Sequence, residues 1–192
     1  MNKGTIHAVS GLSEILDTDI KVSCFNMNKV STQDLFHVFG GAETEIVAVY
    51  VSIQEGAAGH ILLAYPPKVS FEVADMMLGN APGTTKELGE LEQSALSEMG
   101  NIVAAYFLSS MADNTGVRLQ PSTPEVLVDM AGAILSIAMS DIMQYGDDIF
   151  MMETIFTSKD REINGAFLVL PSTEFLDVVK KHTEKHGNIS WE

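Results

Sequence analysis

The chain has 192 residues, 46% hydrophobic and 19% charged, enough for one filled core or two small halves packed together, and too apolar for a disordered chain. Its 26 acidic and 11 basic residues give a formal net charge of −15, a field that repels phosphate backbones and anionic lipid, so neither nucleic acid nor membrane is expected as a partner. A single cysteine, Cys24, excludes an intrachain disulfide and a thiolate metal cluster, and the lack of a basic-then-apolar leader makes the cytoplasm the expected location.

Lys3 to Leu16 is predicted helical, with Ile6, Val9, Leu12 and Leu16 at helical spacing. Ile20 to Met27 alternates as a strand. Glu45 to Ile53 and Gly59 to Tyr65 are β-branched or apolar runs joined by Gln54, Glu55 and Gly56, and they predict a hairpin. Pro66 and Pro67 end its second strand, and Val69 to Leu78 returns to helical periodicity. Gly79, Asn80, Pro82 and Gly83 are the clearest punctuation in the chain.

The pattern then repeats. Glu87 to Asn114 predicts a long helix stopped by Asn114 and Gly116. Arg118 to Val128 is extended, interrupted by Pro121 and Pro124. Met130 to Met143 is an apolar helix with Asp129 as its expected N-cap. The apolar stretch from Val126 to Met139 is broken by Asp129 and too short to cross a bilayer. Asp148 to Phe156 and Asn164 to Leu170 are strands around the charged turn Lys159-Asp160-Arg161-Glu162, and Pro171 and Ser172 lead into a last helix from about Glu174 to Lys185.

Each half thus reads as helix, strand, β-hairpin and helix. Gly59-His60-Ile61-Leu62-Leu63 corresponds to Gly165-Ala166-Phe167-Leu168-Val169, and Phe71 and Phe175 each open the following helix. This is read as an internal duplication within one domain, residues 1–192, with pseudo-repeats at about 1–79 and 87–186 and a linker at 79–86. Two generic hairpin-plus-helix units are the plainer alternative.

On the helix from Glu87 to Asn114, successive residues turn by about 100°. Leu96, Met99, Val103, Phe107 and Ser110 share one side and belong in a core. Ser94, Glu98, Asn101 and Ala105 share the other, where Glu98 and Asn101 are neighbours one turn apart. Ala105 and Ala112 continue that stripe with small side chains. Gly100 and Asn101 are weak helix formers in mid-helix, and glycine there costs roughly 1 kcal/mol relative to alanine. Such a local violation marks a functional position or a tightly packed one. A Glu and an Asn on an exposed face are also what ordinary solvation would produce, and both readings stand at this point.

The run Ser94-Ala95-Leu96-Ser97-Glu98-Met99-Gly100-Asn101, with Pro124 beyond it, resembles the signature of the CheC family of chemotaxis phosphatases, the group that includes CheX and FliY. That signature is Asp or Ser, three residues, Glu, two residues, Asn, 22 residues, Pro; Ser94, Glu98, Asn101 and Pro124 satisfy each term. Val128-Asp129-Met130-Ala131-Gly132-Ala133-Ile134-Leu135 is similar to the family as well, as is the duplicated layout. The resemblance implies an α+β fold: two helix-strand-hairpin-helix halves sharing a mainly antiparallel sheet, with two long helices on one face.

The resemblance also implies an activity, removal of the phosphoryl group from the response regulator CheY. Asn101 would orient the attacking water at the regulator's aspartyl phosphate, and Glu98 would contact the regulator, at its active-site lysine. Ser94 and Pro124 would support them. Mg²⁺ is expected on the regulator, and no cofactor or metal on this chain. Many members bind the receptor deamidase CheD, so CheD is a second candidate partner.

The pattern fails in the first half. Asn2 stands where a second site's Asn would be, but its Glu would precede the chain, and the Pro position, 23 residues on, is Phe25. One active site is therefore expected, in the second half. Elsewhere, His182 and His186 lie four apart among Lys180, Lys181 and Lys185, as metal ligands or as cations at a helix end. His7, His37 and His60 have no partner at ligand spacing. Cys24 reads as a small core residue, and Met151-Met152 as core or as an adaptable contact surface. Two rivals to the phosphatase remain: a catalytically weak module of the same family docking CheD or a flagellar switch component, and a duplicated scaffold without phosphoryl chemistry.

Overall fold

The structure, a computed structural model, describes residues 21–55, 58–140, 149–157, 162–177 and 181. The helix expected at Lys3 to Leu16, the turn at 159–161 and, residue 181 apart, the C-terminal helix beyond Asp177 lie outside the described residues. Among the described residues, strands β1 (Lys21–Val30), β2 (Glu45–Glu55), β3 (Gly59–Tyr65), β4 (Gln120–Pro121), β5 (Glu125–Met130), β6 (Ile149–Thr157) and β7 (Glu162–Pro171) form one sheet. Its order is β1-β6-β7-β3-β2-β4, with β5 also on β2, and every pairing is antiparallel.

The expected hairpin is present, with Val49 opposite Leu63 and Val51 opposite Ile61. All seven residues of β3 are buried, as an unbroken apolar run requires, so both faces of the sheet need cover. On one face Val47, Val49, Val51, Ile61, Leu63 and Tyr65 pack under helices α2 (Pro67–Met77) and α3 (Glu90–Thr115). The opposite pleat, Ile46, Ala48, Leu62, Ala64 and Leu168, packs under α1 (Thr32–Val38) and α4 (Ala131–Ser140).

Helix α1 is absent from the sequence reading, although its signals are there. Ser31 caps it, its Oγ accepting from the Asp34 N–H at 3.1 Å and donating to the Asp34 carboxylate at 2.6 Å, a variant of the capping box. Leu35 and Phe39, four residues apart, are buried. Helix α4 differs from expectation in its cap. Asp129 is a strand residue opposite Ile46 and accepts from the Met130 N–H at 2.7 Å. The first N–H groups of α4 go instead to the loop after α1: Ala131 donates to the Thr44 carbonyl and Gly132 to that of Ala42, both at 2.8 Å.

The two halves exchange strands. β1 pairs with β6, and β5 pairs with β2, so each half's opening strand lies along the other half's hairpin. The hairpins meet where β3 pairs with β7, with Leu62 opposite Leu168. Those two leucines are the ones matched between the sequence halves, and Ile61–Val169 and Leu63–Phe167 flank them symmetrically.

Helix α3 begins at Glu90, three residues later than expected, behind an extended Gly89, with Glu90 and Glu92 in the first turn where carboxylates favour the helix dipole. It ends as expected at Gly116, left-handed at φ 70°, whose N–H donates to the Ala112 carbonyl. The helix crosses β2 at close range. A Cβ built on Gly100 would overlap the Val49 side chain, within 3.1 Å of its Cβ. Glycine in mid-helix is therefore a packing requirement, met by a strand beneath rather than by another helix.

The linker before α3 is tied down by Asp75, a fully buried residue of α2. Its Oδ1 accepts from the Thr85 N–H at 2.9 Å and the Thr85 hydroxyl at 2.7 Å, and its Oδ2 from the Thr84 N–H at 3.0 Å. Burial alone raises the carboxyl's pKa; the Thr85 hydroxyl and the N–H groups of Thr85, Thr84 and Gly83 outweigh it and hold it below the ordinary carboxylate value.

Two outcomes follow for stability. Gly100→Ala should lose about 1–3 kcal/mol in urea unfolding, as over-packing does. Asp75→Ala should lose about 3 kcal/mol at pH 7, the scale of lost hydrogen bonds to a buried charge. Because the folded pKa is depressed, the ionised Asp75 stabilises fully above its unfolded value near about 4, and that contribution fades as pH falls through the folded value. The stability gap between wild type and Asp75→Asn should therefore narrow in acid; a gap independent of pH would contradict this assignment.

Candidate active site

The sheet edge beside α3 is interrupted. β5 runs along β2 from Glu45 to Tyr50 and β4 pairs with Ile53 and Glu55, leaving 122–124 between them. Pro121 and Pro124 have no N–H to offer a ladder, and a serine takes over. The Ser122 N–H donates to the Ser52 carbonyl at 2.8 Å, the Ser52 N–H donates to Ser122 Oγ at 3.0 Å, and the Ser122 hydroxyl donates to the Thr123 carbonyl at 3.1 Å. The prolines thus bound a short bracket pinned to β2 by the backbone and side chain of one residue, Ser122.

Bracket and helix enclose a surface groove of about 330 Å³. Ser97, Glu98 and Asn101 form the helix wall, and Pro121, Ser122, Thr123 and Pro124 the opposite wall. Leu96 and Met99 are wholly buried beside them, which fixes the rotation of the helix. Glu98 is exposed and Asn101 half-buried, so both groups are open to a molecule arriving from solvent. The Ser97 hydroxyl, on the helix wall, donates to the Pro124 carbonyl on the opposite wall at 3.3 Å.

The structure brings together three of the four residues singled out in the sequence: Glu98, Asn101 and Pro124. Ser94 stands apart, exposed one turn up the helix, its hydroxyl donating to the Glu90 carbonyl at 2.7 Å. The groove also includes Ser97, Ser122 and Thr123, which the sequence does not single out as site residues. For Ser122 and Thr123 the signal is a polar pair enclosed by prolines, which reads in sequence only as a break in a strand; Ser97 has no local signal that sets it apart from other helical serines.

Chemically the groove offers hydroxyls, one amide and one carboxylate. The amide of Asn101 both donates and accepts and does not titrate, so it can orient a water without a proton of its own. Glu98 is the one carboxylate in the lining, short of the oxygen set a divalent cation draws from a protein. Among the described residues, no three His, Cys, Asp or Glu side chains converge as a metal site, and no helix is long and apolar enough to cross a membrane.

The other candidates fall elsewhere. His60 is buried, with Tyr50 Oη 2.6 Å from its Nδ1 and the two rings stacked at 5.5 Å. His37 is exposed in the last turn of α1. Met151 is half-buried against the second core cluster. Asn2, His7, His182 and His186 lie outside the described residues.

Comparison with known proteins converges on the same segment. Residues 91–128, which span the helix wall and the bracket, match the CheC-like family. The CheY-P phosphatase CheC of Bacillus subtilis is 29% identical over 174 residues, 88% of this chain and 83% of that protein. The fold is similar to FliY of Thermotoga maritima, at a TM-score of 0.76 and 21% identity over 96% of this chain and 92% of that one. It is also similar to the CheX–CheY–BeF3–Mg²⁺ complex of Borrelia burgdorferi, at 0.55 and 14% identity over 89% and 97%. The groove-bearing segment thus matches the CheC-like family model, and the chain as a whole is similar in sequence to a CheY-P phosphatase CheC and in fold to FliY and CheX.

Proposed function

We propose that this chain is a phosphatase for the aspartyl phosphate of a CheY-type response regulator, acting through Glu98 and Asn101. The observation that carries the reading is that these two side chains stand one turn apart on the wall of an open groove, where another protein's phosphorylated pocket can reach them. The relative named a CheY-P phosphatase, and the relative solved with CheY, BeF3 and Mg²⁺, supply the substrate class.

In this mechanism the Asn101 amide holds a water in line with the phosphorus. The water oxygen bonds to phosphorus as the P–O bond to the regulator's carboxylate breaks. The aspartate leaves as carboxylate, and the water's protons pass to phosphate and solvent. An acyl phosphate is already electrophilic, so orienting the water supplies most of the acceleration. Glu98 pairs with the regulator's active-site lysine, which turns Asn101 into the pocket. The regulator holds the Mg²⁺ that neutralises charge on the transferred group.

The test is decay of phosphorylated regulator in Mg²⁺ with and without the protein. Wild type should accelerate it. Asn101→Ala should return the rate to the regulator's own, and Glu98→Ala should weaken the acceleration about tenfold or more, the scale of a lost charged contact. Equal decay with wild type and Asn101→Ala would overturn the reading. Specific capture of CheD by an inactive wild type would favour the docking module instead.

A further inference from the structure

Four helical serines of this chain show what a hydroxyl in a helix normally does. Ser94 donates to Glu90, Ser136 to Gly132, Ser140 to Ile137 and Ser70 to Pro67, each closing on its own chain three or four residues back. Ser97 departs from this habit. Its hydroxyl reaches 27 residues along the chain to the Pro124 carbonyl, at 3.3 Å, from the helix wall of the groove to the bracket. It sits between wholly buried Leu96 and exposed Glu98, on the flank where helix and bracket meet.

The bracket has reason to need that tie. Pro121 and Pro124 contribute no N–H, and Ser122 fastens the segment to β2. The helix and the bracket both rest on β2, at Val49 and at Ser52, and the Ser97 hydroxyl joins the two walls directly. A reacting group misplaced by about 1 Å can lose up to two orders of magnitude in rate, so the width of this groove bears directly on catalysis.

We infer that Ser97 is a positioning residue for the phosphatase reaction, its hydroxyl holding the Pro124 bracket against the helix so that Glu98 and Asn101 meet the regulator in one geometry. The inference rests on the phosphatase reading above. Ser97 touches neither water nor phosphate; it acts through the groove's walls.

The experiment compares wild type, Ser97→Ala, Ser97→Thr and Asn101→Ala in steady-state dephosphorylation over a range of phosphorylated regulator, with thermal unfolding measured alongside. Ser97→Ala should lower kcat about tenfold and leave KM within about twofold, because positioning is lost while docking is kept. Ser97→Thr, which retains a hydroxyl, should recover most of kcat. A wild-type kcat in Ser97→Ala, with Asn101→Ala inactive, would overturn the positioning role and leave the phosphatase reading intact. A rise in KM alone would also overturn it, since Ser97 would then be a docking contact. If Ser97→Ala unfolds at the assay temperature, failure of well-folded Ser97→Thr to keep kcat would overturn it equally. Activity in Asn101→Ala would instead remove the reading on which the inference rests.

Discussion

Helix α3 can lie against β2 at its observed height because position 100 carries no side chain. The Val49 Cγ1 methyl occupies the volume that any Cβ at that position would need. This contact sets how deeply the helix is seated, and the buried Leu96 and Met99 set how it is rotated. With depth and rotation determined, the next residues around the helix have no freedom of direction. Glu98 points out and Asn101 stands at the shoulder, beside the sheet edge where β4 gives way to β5. A helix lifted by one methyl would still display a Glu and an Asn, but at a different distance from the bracket.

The groove is consequently a composite of both halves. Its helix and bracket belong to the second half, while the strand that seats the helix and anchors the bracket, through Val49 and Ser52, belongs to the first. Strand pairing ties this arrangement to the centre of the sheet. β5, which continues directly from the bracket, is paired along its length with β2 from Glu45 to Tyr50, and β2 is in turn paired with the fully buried β3. Side chains on both pleats of this central region are packed under helices, so displacing the bracket means disturbing two core layers.

The electrostatic design is sparing at the groove and specific away from it. The lining carries a single ionisable side chain, in a chain whose net charge is −15. A neutral amide and hydroxyls suit a site that orients a group on another molecule while that molecule brings its own charges. The firmly ionised carboxylate described in this structure, Asp75, lies instead beneath the linker, where buried N–H groups and a hydroxyl surround it. That cluster holds the segment leading into α3 and so supports the helix from its N-terminal side.

Much of this was legible in the residues themselves. Helix period alone separated Leu96, Met99 and Val103 from Glu98 and Asn101, because side-chain direction along a helix is local geometry. The hairpin, the long helix and its glycine stop were legible for the same reason. Helix α1 was overlooked although Ser31 and Asp34 announce it, since seven residues are too few for periodicity to stand out. What only the tertiary structure decided depends on pairings between residues far apart in sequence. That Gly100 answers to Val49, that Ala42 and Thr44 rather than Asp129 cap α4, and that Ser97 rather than Ser94 reaches Pro124 are consequences of which strand lies under which helix. No local pattern carries that information, because each contact exists only once the two halves have exchanged their strands.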